Sequence, residues 1–294
     1  MAKHITHMPA GAVSHTLLEQ TLTRRIGLWL VAFTVIFGYF VVRYVVLQMP
    51  AFPPLVVGPL RLTPFGTLVA MGVLFGVHLT HWWCERFALD WPALRDGLFW
   101  IVGGGFLVAH VGSIWAYSPA HWLTFAQYAD PNTGLFSFGG FLGGLGAAIW
   151  YCKKQHLPVG ASVDCLLYGL VGGWLFGRLG CFSVHDHPGP ITTWPTGVLI
   201  RGTRRHDLGF YELLYTIVVF LVLTWSLRRG KRFNGFVVAV TAPSYAMVRF
   251  LLDFLRSGDT MYYGLTPAQW ACFPLFAIGI YVMYSGVRRL PHAA

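Results

Sequence analysis

The chain has 294 residues, of which 55% are hydrophobic, 16% aromatic and only 11% charged. Soluble domains carry roughly a quarter charged residues, so this composition excludes an ordinary water-soluble globular protein. The apolar residues fall into runs of about 20, the length that an α-helix needs to cross a lipid bilayer. Strands of alternating polarity, the pattern of membrane barrels, do not recur along the chain. We therefore predict an all-α fold, a polytopic integral membrane helical bundle.

The net charge of +10 reflects 21 Lys and Arg against 11 Asp and Glu. Basic residues cluster at the ends of apolar runs, as at Arg228 and Arg229, and form no basic face along a soluble helix. This distribution indicates a membrane protein, and we expect no nucleic-acid partner.

The five cysteines are odd in number and lack C-x-x-C spacing, so they predict neither a disulfide framework nor a metal site. Cys181 would act as a nucleophile if Arg178 and a helix end favoured its thiolate form. A lone cysteine in a membrane helix is, however, more often inert.

Eight apolar runs predict membrane-spanning helices. They cover residues 26–47, 65–84, 97–117, 135–152, 161–182, 209–227, 234–256 and 267–287. The first run is longer than a signal-peptide core, and no A-x-A cleavage pattern follows it. We therefore expect it to be a retained membrane anchor.

The distribution of basic residues predicts the orientation of these spans, because loops rich in Lys and Arg stay in the cytoplasm. Placing the N-terminus inside leaves most of the 21 Lys and Arg inside, and eight spans then place both termini there. The longest outer connection covers about 183–208 and contains His185, Asp186 and His187. We expect function to face the exterior side.

The strongest local signal lies in the seventh predicted span. Tyr245, Arg249, Asp253 and Arg256 are spaced so that they share one face of a helix. An arginine inside the membrane costs at least ~2.5 kcal/mol, so it is kept facing a partner or a polar cavity. Two interpretations stay open: Asp253 merely neutralises Arg249, or the surplus positive charge binds an anionic ligand such as a phosphate.

A second positive group, Arg178, lies near the end of the fifth predicted span, close to Gly180. Glycine here allows a ligand or another backbone to approach. His185, Asp186 and His187 follow in the connection. They are either proton acceptors or solvated loop residues.

Two further features have ordinary structural explanations. Gly139 and Gly140 begin two small-xxx-small pairs in the fourth predicted span, a pattern that favours tight helix packing. Glu212 opens the sixth span, and we expect it to pair with Arg204 or Arg205 at the membrane interface.

The order of these motifs resembles the prolipoprotein diacylglyceryl transferase family of bacterial inner membranes, over most of residues 58–287. The family's R-x-G-N-F run, which an acidic residue and a glycine follow, is matched by Arg178, Gly180, Phe182, Asp186 and Gly189. The pattern Tyr-x3-Arg-x3-Glu-x2-Arg is matched by Tyr245, Arg249, Asp253 and Arg256. An H-P-x-x-x-Y-E motif is echoed by His206, Tyr211 and Glu212, and a carboxylate fourteen residues before the signature arginine by Asp164.

The resemblance implies an enzyme that moves the diacylglyceryl group of phosphatidylglycerol onto the lipobox cysteine thiol of a prolipoprotein signal peptide, releasing glycerol phosphate. It implies a monomer in the bacterial cytoplasmic (inner) membrane, with membrane lipid as partner and no cofactor or metal. Residues 1–57 would be a polar segment with an additional transmembrane helix, and residues 58–294 the transferase-like membrane domain.

The resemblance also implies the site residues. Those that we expect to be catalytic are Arg178, Arg249, Asp253, Asp186, His185 and His187. Those that we expect to bind substrate are Tyr245, Arg256, Gly139, Gly140, Gly180, Cys181, Gly189, His206 and Glu212. The arginines would bind the phosphate, and Asp253 would orient Arg249.

Three residues depart from the family pattern. Phe138 stands where the family has a histidine base, Cys181 where it has asparagine, and Phe65 where it has tyrosine. We expect His185 or His187 to replace the base, with His110 as the alternative. Two rival functions stay open: a catalytically silent homologue that binds anionic lipid or a lipoprotein precursor, and a transferase of another lipid group with Cys181 as nucleophile.

Overall fold

The computed structural model describes residues 10–57, 60–117, 122, 124–130, 134–230, 233–256 and 260–289. The first nine residues of the polar N-terminal segment lie outside this range. In chain order the helices are α1 (Ala10–Phe40), α2 (Pro64–Phe87), α3 (Trp91–Tyr117), α4 (Phe125–Ala129), α5 (Ser137–Lys154), α6 (Val159–Val184), α7 (Leu208–Arg228), α8 (Phe236–Asp253) and α9 (Pro267–Arg288). Helix α1 continues into a π-helical segment, Val41–Val46.

Two small antiparallel sheets lie in the connections between helices. Strand β1 (Leu55–Val57) pairs with β2 (Leu60–Leu62) before α2. Strands β3 (Pro188–Ile191), β4 (Val198–Ile200) and β5 (Thr203–Asp207) form a second sheet with β5 in the centre. This second sheet fills the connection between α6 and α7.

Seven of the described helices are long and apolar enough to cross a membrane. The predicted fold class, a polytopic helical bundle, is therefore confirmed, and the chain is a multi-pass membrane protein. Each of the eight predicted spans coincides with a helix. The span predicted over 135–152 is α5, which is not among the seven because its glycines and two terminal lysines lower its mean hydropathy.

Close helix packing depends on glycine. A Cβ atom on Gly139 of α5 would lie 2.6 Å from the backbone oxygen of Val108 in α3, and one on Gly72 of α2 would lie 2.5 Å from that of Gly173 in α6. Both distances are too short for any side chain, so α5 packs on α3, and α2 on α6, by direct backbone approach. Helix packing thus accounts for the position of Gly139.

Helix α1 packs on the bundle through aromatic rings. The Trp29 and Phe33 rings meet Phe176 of α6 edge-on, with centroids 5.7 and 5.3 Å away. The Tyr44 hydroxyl, in the π-helical segment, donates to the Ser183 carbonyl at 3.0 Å. The additional helix is therefore fixed to the same helix that carries Arg178.

A carboxylate from a neighbouring helix caps the start of α8. Asp164 of α6 accepts the backbone N–H groups of Gly235 at 2.7 Å and of Val237 at 3.0 Å. A carboxylate at a helix N-terminus satisfies otherwise unpaired donors and complements the helix dipole. Asp164 thereby fixes α8, which carries Arg249, against α6, which carries Arg178.

Candidate active site

Glu212 of α7 lies between two arginines from two other helices. Its Oε1 accepts a hydrogen bond from Arg249 Nη1 at 2.6 Å, and its Oε2 contacts Arg178 Nη2. All three side chains are buried. One carboxylate thus joins α6, α7 and α8 and holds both guanidinium groups close together.

The expected pairing of Glu212 with Arg204 or Arg205 is therefore wrong. Arg204 donates to the carbonyls of Gly197 and Pro195, and Arg205 donates to that of Gly189. Both arginines lie in β5 and stabilise the turns of the small sheet, whereas the side chain of Glu212 points into the bundle. Proximity along the chain suggested the wrong partners.

Asp253 forms a second ion pair with Arg249, at 2.8 Å between Oδ1 and Nη2. The same oxygen lies 3.9 Å from Arg256 Nη1, and the other carboxylate oxygen contacts the hydroxyl of Thr266, the N-cap of α9. Asp253 therefore neutralises Arg249 and also links α8 to α9. Three arginines and two carboxylates leave this group with one net positive charge.

All three arginines line one cavity of about 290 Å³. The rest of its wall comes from α3, the segment before α5, the start of α5, the start of α9 and the connection after α6. The residues that line the cavity are Ser113, Tyr117, Gly134, Leu135, Phe136, Ser137, Phe138, Arg178, His187, Arg249, Arg256 and Ala268. The cavity is thus positive on one side, and serine, tyrosine and apolar side chains line the rest.

Tyr245 and Phe138 pack together behind the arginines, with ring centroids 6.0 Å apart. The Tyr245 hydroxyl is buried and has no hydrogen-bond partner among the described residues. Phe138 lines the cavity and offers no group that could accept a proton. Any proton acceptor in this cavity must come from another part of the wall.

The two histidines after α6 occupy different environments. His187 lines the cavity, and its Nδ1 contacts the Asp186 carboxylate. His185 is buried outside the cavity lining, where its Nδ1 lies 2.6 Å from Asp207 Oδ2 and its ring lies edge-on to Tyr44. Asp207 is the N-cap of α7, so His185 connects the end of α6 to the start of α7.

Burial raises the pKa of Asp207, although the hydrogen bond with His185 opposes that shift. His110, the alternative base, lies in α3 with its Nε2 3.1 Å from the Tyr128 carbonyl, and it is not among the cavity-lining residues. Of the three candidate histidines, the structure places only His187 in the described cavity wall.

Cys181 lies beside Arg178 at the end of α6. Arg178 Nη1 is 3.8 Å from its sulfur. One polar atom from each of Cys181, Asp186 and His187 lies within 4.8 Å of the other two. We call these three residues the Cys-Asp-His cluster.

A sequence model described as prolipoprotein diacylglyceryl transferase matches residues 54–285. The chain belongs to this family. The sequence-based resemblance is confirmed, and the match begins after α1 and its π-helical segment. The division of the chain at residue 57 stays a prediction.

Curated relatives carry the same description. The chain is 28% identical over 209 residues to the phosphatidylglycerol–prolipoprotein diacylglyceryl transferase of Campylobacter hominis. The aligned region covers 66% of this chain and 75% of the relative. It is 26% identical over 235 residues to that of Campylobacter jejuni subsp. doylei, with 74% and 87% covered. It is 26% identical over 255 residues to that of Synechococcus elongatus, with 79% and 87% covered.

Other residues that match the family motifs lie in close packing contacts outside the described cavity lining. A Cβ atom on Gly180 would lie 3.3 Å from the Phe65 backbone oxygen, and one on Gly189 would lie 3.0 Å from His206 Cβ. Gly140 faces Ala109 of α3 at ordinary contact distance. A role of these glycines in substrate binding stays a prediction.

The H-P-x-x-x-Y-E motif is divided between two places. His206 Nδ1 lies 2.6 Å from the Tyr211 hydroxyl, which is 3.1 Å from Thr196 Oγ1. These three residues support the small sheet, whereas Glu212 lies between the arginines. The motif thus joins the sheet to the candidate active site.

Two residues of the site were missed in the sequence. Trp174 lies one turn before Arg178, and its ring centroid is 4.9 Å from the guanidinium carbon. Thr266 contacts Asp253 and also forms a capping box with Gln269. The sequence Thr266-Pro267-Ala268-Gln269 has the spacing of a capping box, so it could have identified Thr266 as the α9 N-cap.

Proposed function

We propose that this chain transfers the diacylglyceryl group of phosphatidylglycerol to the lipobox cysteine thiol of a prolipoprotein. The observation that carries the proposal is the convergence of Arg178 and Arg249 on one cavity. A positive pocket within a bundle of membrane helices suits the phosphate of a lipid head group. The names of the curated relatives describe the same substrates.

The arginines act on the leaving group. Phosphatidylglycerol carries one negative charge at its phosphate, and glycerol phosphate acquires a second as the bond between carbon and oxygen breaks. Arg178 Nε and Arg249 Nε are buried and have no hydrogen-bond partner among the described residues. Donors that are already held in place stabilise charge developing in the transition state without reorganisation.

Glu212 sets the separation of these donors. Each guanidinium uses one nitrogen for Glu212, and Arg249 uses a second for Asp253. A phosphate must therefore be bound by the remaining N–H groups or displace the Glu212 carboxylate. Arg256, at the cavity wall, supplies further positive charge.

The thiol of the substrate must lose its proton, because the thiolate is the nucleophile. His187 is the histidine in the described cavity wall, and Asp186 orients its ring through Nδ1. A carboxylate in that position fixes the tautomer, so the other ring nitrogen can accept a proton. His187 is therefore our candidate base in place of Phe138.

A covalent role for Cys181 does not fit this reaction. Attack by the Cys181 sulfur on the glyceryl carbon would form a thioether on the enzyme, and a thioether is too stable to pass the group on. Cys181 would be a covalent nucleophile only for transfer of an acyl group. The other rival is a catalytically silent homologue, which the apolar Phe138 in the cavity wall favours.

The cavity would open to the exterior side of the bacterial cytoplasmic membrane, where a translocated precursor exposes its lipobox, and the chain would act as a monomer. The test is complementation of a bacterium depleted of its own transferase, with precursor lipidation read as a mass shift. The proposal expects restored lipidation by the wild-type chain and none by Arg249→Ala. Stable expression without lipidation would favour the silent homologue.

A further inference from the structure

The Cys-Asp-His cluster is produced by a reversal of the chain at the end of α6. Cys181 lies in the last turn of α6, and His185 follows in the left-handed conformation with a φ of 52°. This turn brings Asp186 and His187 back beside Cys181, so that one atom from each lies within 4.8 Å of the other two. Cys181 is buried, whereas the side chains of Asp186 and His187 are 36% and 21% exposed.

Thiolate sulfur, imidazole nitrogen and carboxylate oxygen are the three ligand types that bind Zn²⁺ in proteins. Catalytic zinc sites use three protein ligands and leave the fourth position for water or substrate. The cluster offers three ligands of these types, and His187 lines the cavity, so the fourth position is accessible from it.

We propose that Cys181, Asp186 and His187 bind one Zn²⁺ ion, whose open position takes the thiol of the substrate cysteine. The geometry of the cluster alone supports the zinc site. The role of the metal in thiol activation rests on the proposed transferase function.

The charges of the cluster suit a divalent cation. The Cys181 thiolate and the Asp186 carboxylate together balance the two charges of Zn²⁺. Arg178 Nη1 lies 3.8 Å from the sulfur, and its own charge is paired with Glu212. Zinc binding itself displaces the thiol proton of Cys181. The substrate thiolate in the fourth position adds one more negative charge, so the complete site carries the same net charge as the metal-free cluster with its neutral thiols.

The geometry needs only local adjustment. Zinc bonds of about 2.0–2.3 Å place tetrahedral ligands roughly 3.5 Å apart, so the most distant pair in the cluster must approach by about 1 Å. Asp186 and His187 lie in the short connection between α6 and β3. A small movement there, replacing the direct contact between Asp186 and His187, completes the coordination without moving a helix.

The zinc ion would take over the role of the family's histidine base, whose position Phe138 occupies in this chain. A substrate thiol bound to zinc loses its proton to water, and the resulting thiolate attacks the glyceryl carbon. The bond between that carbon and the phosphate oxygen breaks, and its electron pair leaves with glycerol phosphate, which Arg178 and Arg249 hold. One proton is released per transfer, and His187 then acts as a zinc ligand instead of as the base.

Metal binding is tested directly on the full chain in detergent, purified with a tag that contains no histidine. After removal of metals and addition of Zn²⁺, elemental analysis should find one zinc per chain. Co²⁺ in its place should give a thiolate-to-metal charge-transfer band. Asp186→Asn and His187→Ala should each lower zinc affinity by at least about 10-fold, the usual loss for a disturbed metal shell.

Cys152→Ala is the matched control, because Cys152 is also buried but lies outside the cluster. It should keep full zinc binding, whereas Cys181→Ser should lose it. Asp186→Asn changes an exposed side chain and keeps the proposal testable if Cys181→Ser does not fold. Zinc binding that is absent from the wild type, or equal in all variants, would overturn the site.

Lipidation of a lipobox peptide separates the metal from the transferase function. Loss of lipidation on metal removal, with recovery on addition of Zn²⁺, would support both. Full lipidation by protein shown to be metal-free would overturn the zinc role and leave His187 as the base. Stoichiometric zinc without any lipidation would support the site and overturn its role in thiol activation together with the transferase function.

Discussion

Glu212 and Arg249 form a buried ion pair between α7 and α8, with 2.6 Å between Oε1 and Nη1. The second Glu212 oxygen contacts Arg178 of α6, so one carboxylate compensates two buried cations. Removing one member of a buried ion pair leaves an uncompensated charge, which costs about 3–5 kcal/mol in measured cases. Glu212 is therefore expected to stabilise the bundle as well as the site.

Glu212→Gln should lower the melting temperature in detergent and reduce lipidation together, because it leaves Arg178 and Arg249 close together without a counter-charge. Glu85→Gln on α2 is the control, since Glu85 pairs with His81 and not with an arginine of the site. Thermal unfolding of both variants measures the difference. Equal stability of the two would contradict the role given to Glu212.

Arg178→Lys and Arg249→Lys keep the positive charge but lose the fork of donors. A lysine cannot bond Glu212, Asp253 and a phosphate in the planar arrangement that Arg249 uses, so each variant should lower lipidation by about 10²–10³-fold. Arg229→Lys, at the end of α7 beside Trp225, is the matched control and should retain activity. Near-normal activity of the site variants would mean that charge alone is sufficient.

The two histidines after α6 should have different roles, one in lipidation and the other in thermal stability. His187→Ala should lower lipidation by about 10²-fold at neutral pH with little change in stability. His185→Ala should instead lower thermal stability, since it leaves Asp207 buried without its partner, at a cost of about 1–3 kcal/mol. Lipidation per folded molecule, measured for both, separates them. A larger catalytic loss for His185→Ala would reverse the assignment.

The connection between α6 and α7 should face the exterior. All five native cysteines are buried, so a cysteine introduced at exposed Thr193 gives a clear labelling signal. A membrane-impermeant thiol reagent should label Thr193→Cys in intact cells and should not label Gln155→Cys, in the connection between α5 and α6. The opposite labelling pattern would invert the orientation.

The helices were predictable because apolar runs of bilayer length admit few other structures. The short helix α4 and the two sheets were not, since segments of three to five residues carry too little periodic signal. Arg249 and Asp253 share a helix, so their spacing predicted their pairing. The sequence did not predict which side chains of different helices contact one another.

Glu212 shows the limit most clearly. Its partners, Arg178 and Arg249, lie 34 and 37 residues away, whereas Arg204 and Arg205 lie nearer in the chain but point elsewhere. The Cys-Asp-His cluster has no spacing typical of a metal site. It depends on the left-handed turn at His185, a conformation that the sequence around it does not signal.

The most direct test of the transferase function uses the purified chain in vesicles that contain phosphatidylglycerol, with a peptide that carries a lipobox cysteine. The mass of the peptide should increase by one diacylglyceryl group, with release of one glycerol phosphate, and Arg249→Lys should lose most of this product. An unchanged peptide mass, with phosphatidylglycerol still bound by the folded chain, would contradict transfer and identify a lipid-binding homologue.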